Sequence, residues 1–355
     1  MSATYRIAVL PGDGIGPEVM AEGIRVLRAV EQASGGELSF ELTEFSVGAG
    51  EYLQHGDPLP EATYAAIAQR DAILLGAMGL PGVRWPDGTE MTPQIDLRER
   101  LDLYCGLRPV RLFHASHTPL KGRRPEEIDF VIVRESTEGL FAGRKRPRRG
   151  DGEVVEDVLR ISRAGSERLF RAAFGLARRR RRRLTLVDKA NVLPSMAFFR
   201  RIFDEVAQEF PDVQTEHLYV DAAALHLIER PQRFDVLVTE NMFGDILSDL
   251  AAALVGGMGM APSADLGDRA AVFQPSHGSA PDIAGRGIAN PTAMILSVAL
   301  MLDWFDSPAA CQGAERIRRA VQQVLQDEAN RTPDLGGALS TRELGERIAR
   351  AIVAV

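Results

Sequence analysis

FDVLVTENMFGDILSDLAAALVGG, residues 234–257, is the stretch on which the reading of the chain turns. Its apolar start, FDVLVTEN, has the composition of a buried strand, and the remainder has that of a helix. A strand running directly into a helix is the repeating unit of α/β sheets, which keep their sites at strand ends. Asp245 and Asp249 are four residues apart, so a helix places both carboxylates on one face, one turn apart. Two like charges so placed repel by roughly 0.2–0.5 kcal/mol. A solvated acidic face is the commoner meaning of such a pair. Here the segment between the acids is apolar, and a hard divalent cation, Mg²⁺ or Mn²⁺, turns the repulsion into attraction by taking oxygen ligands. The pair reads as metal ligands.

Outward from this stretch the same alternation recurs. YRIAVLP, DAILLGA, DFVIVRE, RLTLVD and QTEHLYV read as strands, with PEVMAEGIRVLRAVEQA and PSMAFFRRIFDEVAQEF as helices between them. The pattern predicts an α/β protein with a largely parallel sheet and a mostly helical C-terminal third. PGDGIGPEV, residues 11–19, carries Gly12, Gly14 and Gly16 but does not match G-x-G-x-x-G. It reads as a tight turn that lets another group approach the backbone.

Length and composition set the frame. A chain of 355 residues, 45% hydrophobic and 26% charged, suits a globular protein with two domains. Two cysteines, Cys105 and Cys311, imply no disulfide framework and fit a reducing compartment. MSATYRIAVLPGDG has no apolar segment of the signal-peptide kind, and no run is long enough to cross a bilayer. A cytoplasmic protein is expected. The net charge of −7 conceals a basic segment from Arg144 to Arg183, with fifteen Lys or Arg against five Asp or Glu. Within it RKRPRRGDGEV reads as a polar hairpin or arm. The run Arg178 to Arg183 comes after an amphipathic helix, where cations complement the helix dipole and stay solvated. Without interleaved aromatic residues it makes a poor nucleic-acid patch.

Three further constellations carry chemistry. Arg98, Arg108 and Arg134 stand at expected element boundaries, and guanidinium forks suit a substrate with several carboxylates. Lys189 comes directly after the strand LTLVD, where desolvation can lower its pKa enough for it to act as a base. PSHGSAPDIAGRGIANPTA, residues 275–293, is a loop of small residues containing His277, Asp282 and Asn290. Such a loop lets a flat ligand and its phosphates approach the backbone.

Taken in order, LPGDGIGPE, LRERLDLYCGLRPV, VRESTEG, DKANVL, VDAAALHL, TENMFGDILSD and HGSAPDIAGRGIANP resemble the isocitrate/isopropylmalate dehydrogenase family, nearest to its isopropylmalate branch. The resemblance implies a two-domain α/β fold that is not a Rossmann domain. Residues 1–103 with 256–355 would form a discontinuous cofactor-binding domain. Residues 104–255 would form a central domain with the metal carboxylates, dimer interface and arm. It implies a homodimer with shared sites, in which Asp245 and Asp249 bind Mg²⁺ or Mn²⁺ from one subunit while Asp221 and Lys189 come from the other. Asp221 is thus both a metal ligand and, with Lys189, a catalytic residue. Arg98, Arg108 and Arg134 would hold the substrate carboxylates. The loop residues His277, Gly278, Ser279, Ala280, Asp282, Ile283 and Asn290 would hold the cofactor. NADP users of the family place lysine and tyrosine where this chain has Asp282 and Ile283, and a carboxylate there repels a 2′-phosphate, so NAD is expected.

The chain departs from the family pattern twice. Phe141 stands where the family has a tyrosine thought to protonate the enol left by decarboxylation. In the specificity helix, Gln94 and Ile95 replace the two leucines of isopropylmalate enzymes, and Thr92 and Gln94 replace the serine and asparagine of isocitrate enzymes. A buried unpaired amide costs roughly 1–3 kcal/mol, so Gln94 disfavours a purely aliphatic substituent. The expected activity is NAD- and metal-dependent oxidation, with β-decarboxylation, of a 3-substituted malate-type acid. Two alternatives stand beside it: a tartrate-, D-malate- or isocitrate-type dehydrogenase of the same family, and a catalytically silent regulatory or nucleic-acid-binding subunit.

Overall fold

A computed structural model describes residues 3–144 and 153–354. The expected hairpin or arm at residues 143–152 therefore lies almost wholly outside the described residues. In chain order the elements are β1 (Ala3–Gly12), α1 (Gly16–Ala33), β2 (Leu38–Glu44), α2 (Ala49–His55), α3 (Glu61–Ile67), β3 (Ala72–Ala77) and α4 (Pro93–Arg100). Next come β4 (Cys105–Arg111), β5 (Asp129–Glu135), α5 (Arg163–Arg178), β6 (Arg183–Asp188), α6 (Pro194–Ala207), β7 (Gln214–Tyr219), α7 (Val220–Glu229), β8 (Val236–Thr239) and α8 (Asn241–Ala253). The chain closes with β9 (Pro262–Leu266), β10 (Ala271–Pro275), α9 (Thr292–Trp304), α10 (Pro308–Leu325) and α11 (Thr341–Ala354). Among the described residues no helix is long and apolar enough to cross a membrane.

Two compact units result. One comprises Met1–Leu101, Val255–Ala264 and Asp268–Val355; the other comprises Asp102–Leu254 and Asp265–Gly267. The sequence reading places the junctions at 103/104 and 255/256 and does not foresee the short return at Asp265–Gly267.

The first unit orders its strands β2-β1-β3-β10-β9, with β1 parallel to both neighbours and β10 parallel to β3. β3 is buried along its whole length, as a strand covered on both faces must be. α9 explains how the core is filled: Thr292 to Ala299, Met301 and Leu302 are all buried, the all-round apolarity of a central helix. α1 packs on it through Gly23, where a Cβ would come within 2.9 Å of Met294.

The second unit orders its strands β4-β5-β8-β6-β7. β5, β8, β6 and β7 run parallel, and only β4 runs antiparallel to β5. The core is a phenylalanine cluster from α5 and α6. Leu169, Phe170, Ala173, Phe174 and Ala177 recur at helical spacing and meet Met196, Phe199, Ile202 and Phe203.

The arginine run proves structural rather than merely solvated. Arg180 pairs with Asp129 at 2.7 Å and with the fully buried Asp235 at 2.8 Å. Asp235 also accepts the Arg181 backbone amide, and Arg178 pairs with Asp212. These guanidiniums neutralise carboxylates of their own unit, so much of the charge that suggested nucleic acid is already matched within the fold.

Candidate active site

Four side chains, Glu240, Asn241, Arg134 and Asp245, meet around the start of α8. Glu240 caps the helix by accepting the Phe243 amide at 2.7 Å and the Met242 amide at 3.1 Å. Asn241, the first helical residue, accepts from both Nε and Nη2 of the buried Arg134 and donates to the Glu138 carbonyl. Arg134 also forms an ion pair with Asp245. Gly244 makes this possible, because a Cβ there would lie 2.7 Å from the Arg134 side chain. The glycine in FGD is therefore a clearance for an arginine.

Asp249 lies one turn further along α8. Burial pushes its carboxyl above the usual range, the neighbouring Asp245 charge adds to this, and Arg108 and Arg134 oppose it. The second unit thus gathers two acids and two arginines. Arg108 corrects one expectation, because it stands inside β4 rather than at its boundary. Its position in the antiparallel register, opposite Ile132 of β5, puts it two residues along from Arg134.

Lys189, at the end of β6, pairs with Asp221 in the first turn of α7. This partner holds the Asp221 carboxyl below its ordinary value. Lys189 also lies 5.9 Å from the Tyr219 ring, which Arg200 flanks from 5.2 Å. Among the described residues no three His, Cys, Asp or Glu side chains of one chain form a metal-binding group. The expected metal trio is thus split: Asp245 and Asp249 share a helix, while Asp221 stands with Lys189. Carboxylate oxygens held against their mutual repulsion fit a hard divalent cation, with the rest of its coordination supplied from elsewhere.

Phe141 sits half-buried in a single turn after β5, its ring 5.5 Å from the Arg134 guanidinium carbon. A phenyl ring there offers the cation its π face and no transferable proton. Glu135 anchors the same turn. It accepts from the Thr137 amide and hydroxyl and from the Glu138 amide, although burial pushes its carboxyl up.

In the first unit, the loop after β10 carries the expected cofactor residues. His277 shares a hydrogen bond with the Gly278 carbonyl, its Nε2 is buried without a hydrogen-bond partner, and burial lowers its pKa. Ser279 donates to the Gly79 carbonyl through its hydroxyl, and its own carbonyl accepts from the Ile15 amide at 2.8 Å. Ala280 has a left-handed φ of +38°, Ile283 is half-buried, and Asp282 is exposed at the crown of the loop. Asn290 behaves differently. It is buried, with its amide donating to Asp334 and its oxygen accepting from the Thr292 amide, so its side chain is committed to the scaffold. On α4, Arg98 is buried and Ile95 half-buried, while Gln94 holds its Oε1 buried with no hydrogen-bond partner.

Several residues that shape these sites escape a reading of the sequence. Glu240, Asn241 and Tyr219 have no chemical signature until the fold places them beside Arg134 and Lys189. Asp13, which reads as part of a turn, accepts backbone amides from Ala49, Gly50 and Gly79, each at 2.8 Å. Its flanking glycines are the available signal.

Comparison with known proteins extends this picture to the whole chain. The profile of the isocitrate/isopropylmalate dehydrogenase family matches residues 6–348. The 3-isopropylmalate dehydrogenase of Moorella thermoacetica is 45% identical, over 98% of this chain and 99% of its own length. The enzyme of the same name from Bacillus subtilis is 45% identical, over 98% and 97%. Among solved structures, the isocitrate dehydrogenase of Methylococcus capsulatus superposes with a TM-score of 0.87 at 39% identity, over 98% and 99% of the two chains. A β-decarboxylating dehydrogenase from Thermococcus kodakarensis gives a TM-score of 0.82 at 39% identity, over 98% and 96%. From the first strand to the last helix, this chain belongs to the isocitrate/isopropylmalate dehydrogenase family.

Proposed function

We propose that the protein oxidises the C2 hydroxyl of a 3-substituted malate, with NAD as oxidant and Mg²⁺ or Mn²⁺ as metal, and releases the C3 carboxylate as carbon dioxide. The acid pair of α8, flanked by Arg108 and Arg134, is the observation that carries this reading. Relatives named 3-isopropylmalate dehydrogenase favour an isopropyl substituent over the tartrate, D-malate and isocitrate alternatives.

When bound, the cation supplies Lewis-acid polarisation at the C2 oxygen, and the nicotinamide supplies a hydride acceptor. The protein's own groups do the rest. Asp245, Asp249 and Asp221 offer the oxygen ligands. Arg98, Arg108 and Arg134 hold the substrate carboxylates. Lys189 takes the C2 hydroxyl proton, its ammonium form being held afterwards by Asp221. As the C3–C4 bond breaks, its electron pair passes into the enol, and C3 must then gain a proton. Phe141 cannot give one, so water or another side chain does. His277, Gly278, Ser279, Ala280, Asp282, Ile283 and Asn290 form the cofactor loop, with Asp282 excluding a 2′-phosphate by charge.

A homodimer with shared sites completes the proposal. Leu225 and Ile228 on α7 and Ile246 on α8 are exposed, as are Val154, Val155 and Val158. An apolar surface of this kind beside a split ligand set suits a second copy of the chain.

The test is NADH formation with Mn²⁺ and 3-isopropylmalate, repeated with EDTA, with isocitrate, D-malate and tartrate as comparisons. EDTA-sensitive turnover of 3-isopropylmalate with matching carbon dioxide release is expected. Turnover that ignores EDTA, or no turnover of any of these acids, overturns the reading.

A further inference from the structure

Glu18 stands in the first turn of α1, after the glycine-rich turn that matched no nucleotide fingerprint. Its half-buried carboxylate reaches the loop after β10. Oε1 accepts the Gly285 amide at 2.5 Å, and Oε2 accepts the Gly287 amide at 3.0 Å. Both glycines have left-handed backbones, with φ of +74° and +64°. Alternation of this kind turns successive N–H groups to one side and makes a concavity for an anion. A carboxylate from another element fills it.

The rest of the loop shows what this achieves. On one side, the Ser279 carbonyl is tied to the Ile15 amide, and the Ser279 hydroxyl to the Gly79 carbonyl. On the other, the Gly287 carbonyl accepts from the Thr341 amide at 2.9 Å, and the Ala289 carbonyl from the Thr341 hydroxyl at 2.6 Å. Between the ties at 279 and 285 rises the exposed crown with Asp282. Glu18 holds the near end of that crown through two charge-assisted hydrogen bonds, which are individually about twice as strong as neutral ones.

We propose that Glu18 is a positioning residue for the cofactor loop. Its two carboxylate oxygens fix the Gly285 and Gly287 amides, and so set the geometry at Asp282 before any nucleotide arrives. The cofactor part of this inference rests on the NAD assignment above.

Glu18→Gln keeps the shape but leaves an amide nitrogen facing an N–H donor, whereas Glu18→Asp keeps the charge on a shorter stem. Hydrogen exchange at the Gly285 and Gly287 amides is followed first, in the protein without nucleotide. Exchange at the amide that faces the new nitrogen is expected to rise about tenfold in the glutamine variant, the loss of one hydrogen bond to a charged group. KM for NAD is expected to rise about tenfold with kcat held within about twofold, and aspartate recovers part of both effects. The urea midpoint falls by no more than the loss of that one hydrogen bond allows. Unchanged exchange overturns the clamp. So does a joint fall of kcat, affinity and urea midpoint, which marks a residue of the scaffold. If the wild-type protein does not bind NAD, the function proposed above fails, while amide exchange still decides whether Glu18 holds the loop.

Discussion

Asp13 and Asp245 each stand directly after a glycine in a family signature, yet the two units use them in opposite ways. In the first unit Asp13 is 5% exposed, and three backbone amides saturate its oxygens. It joins the turn after β1 to the start of α2 and to Gly79. In the second unit the Asp245 side chain is 48% exposed and meets one arginine, beside a second acid whose charge it opposes. A saturated carboxylate holds a fold, whereas one left short of donors and close to a like charge is available to a cation. Hydrogen bonding, more than sequence motif, separates the structural acid from the one proposed to bind the cation.

The same isosteric change at each position breaks or upholds this contrast. Asp245→Asn is expected to lower turnover by about 10²–10³-fold, since metal polarisation is worth several kcal/mol. The Mn²⁺ needed for half-maximal activity should rise with it, and the urea midpoint should hold. Wild-type metal dependence in this variant would remove Asp245 from the ligand set. Lys189→Met is expected to cost about 10²–10⁴-fold in kcat, the usual range for a lost general base. If kcat holds while only KM moves, Lys189 binds substrate and another group takes the proton.

Asp13→Asn should do the reverse of Asp245→Asn. One oxygen becomes an amide nitrogen and abandons at least one buried N–H donor, at about 1–3 kcal/mol each. The urea midpoint falls, and kcat per folded molecule stays within a few-fold. Loss of turnover without loss of stability would show that the contrast between the two acids is wrong.

Much of the fold is legible from residue pattern because buried parallel strands leave long apolar runs. β1, β3, β5, β6 and β8 all announce themselves in that way, whereas β7 is a polar edge strand with no buried residue. β4, β9 and β10 do not. CGLRPVR carries a proline and two arginines, while PSADL and AVFQP are short and bury Ser263, Asp265 and Gln274. Such strands are specified by partners distant in sequence, which local composition does not record. The site divides similarly. Asp245, Asp249 and Lys189 emerge from spacing and from position after a strand. Glu240, Asn241 and Glu18 act through backbone amides or other side chains that only the folded chain brings near. The expectation for Arg178 to Arg183 misses their ion pairs for the same reason, since Asp129, Asp212 and Asp235 lie thirty or more residues away.

Gln94 is a third kind of polar group, neither saturated like Asp13 nor open to a cation like Asp245. Its Oε1 is buried on α4 with no hydrogen-bond partner. A carbonyl left so costs about 1–3 kcal/mol, and an apolar side chain of similar size removes that cost. Gln94→Leu should therefore raise the urea midpoint slightly. It should also raise kcat/KM for 3-isopropylmalate by up to about tenfold, the gain expected when one apolar group faces another in a binding pocket. A stability gain without a change in kcat/KM would confine Gln94 to packing and leave the substituent to Ile95. Loss of both would mean that the amide is satisfied by substrate or, in the proposed dimer, by a second copy of the chain. A hydrogen-bonding substituent at C3 would then be favoured over an aliphatic one, because a site built to bind a donor rejects the analogue lacking it far more strongly than an apolar pocket rejects a missing methylene.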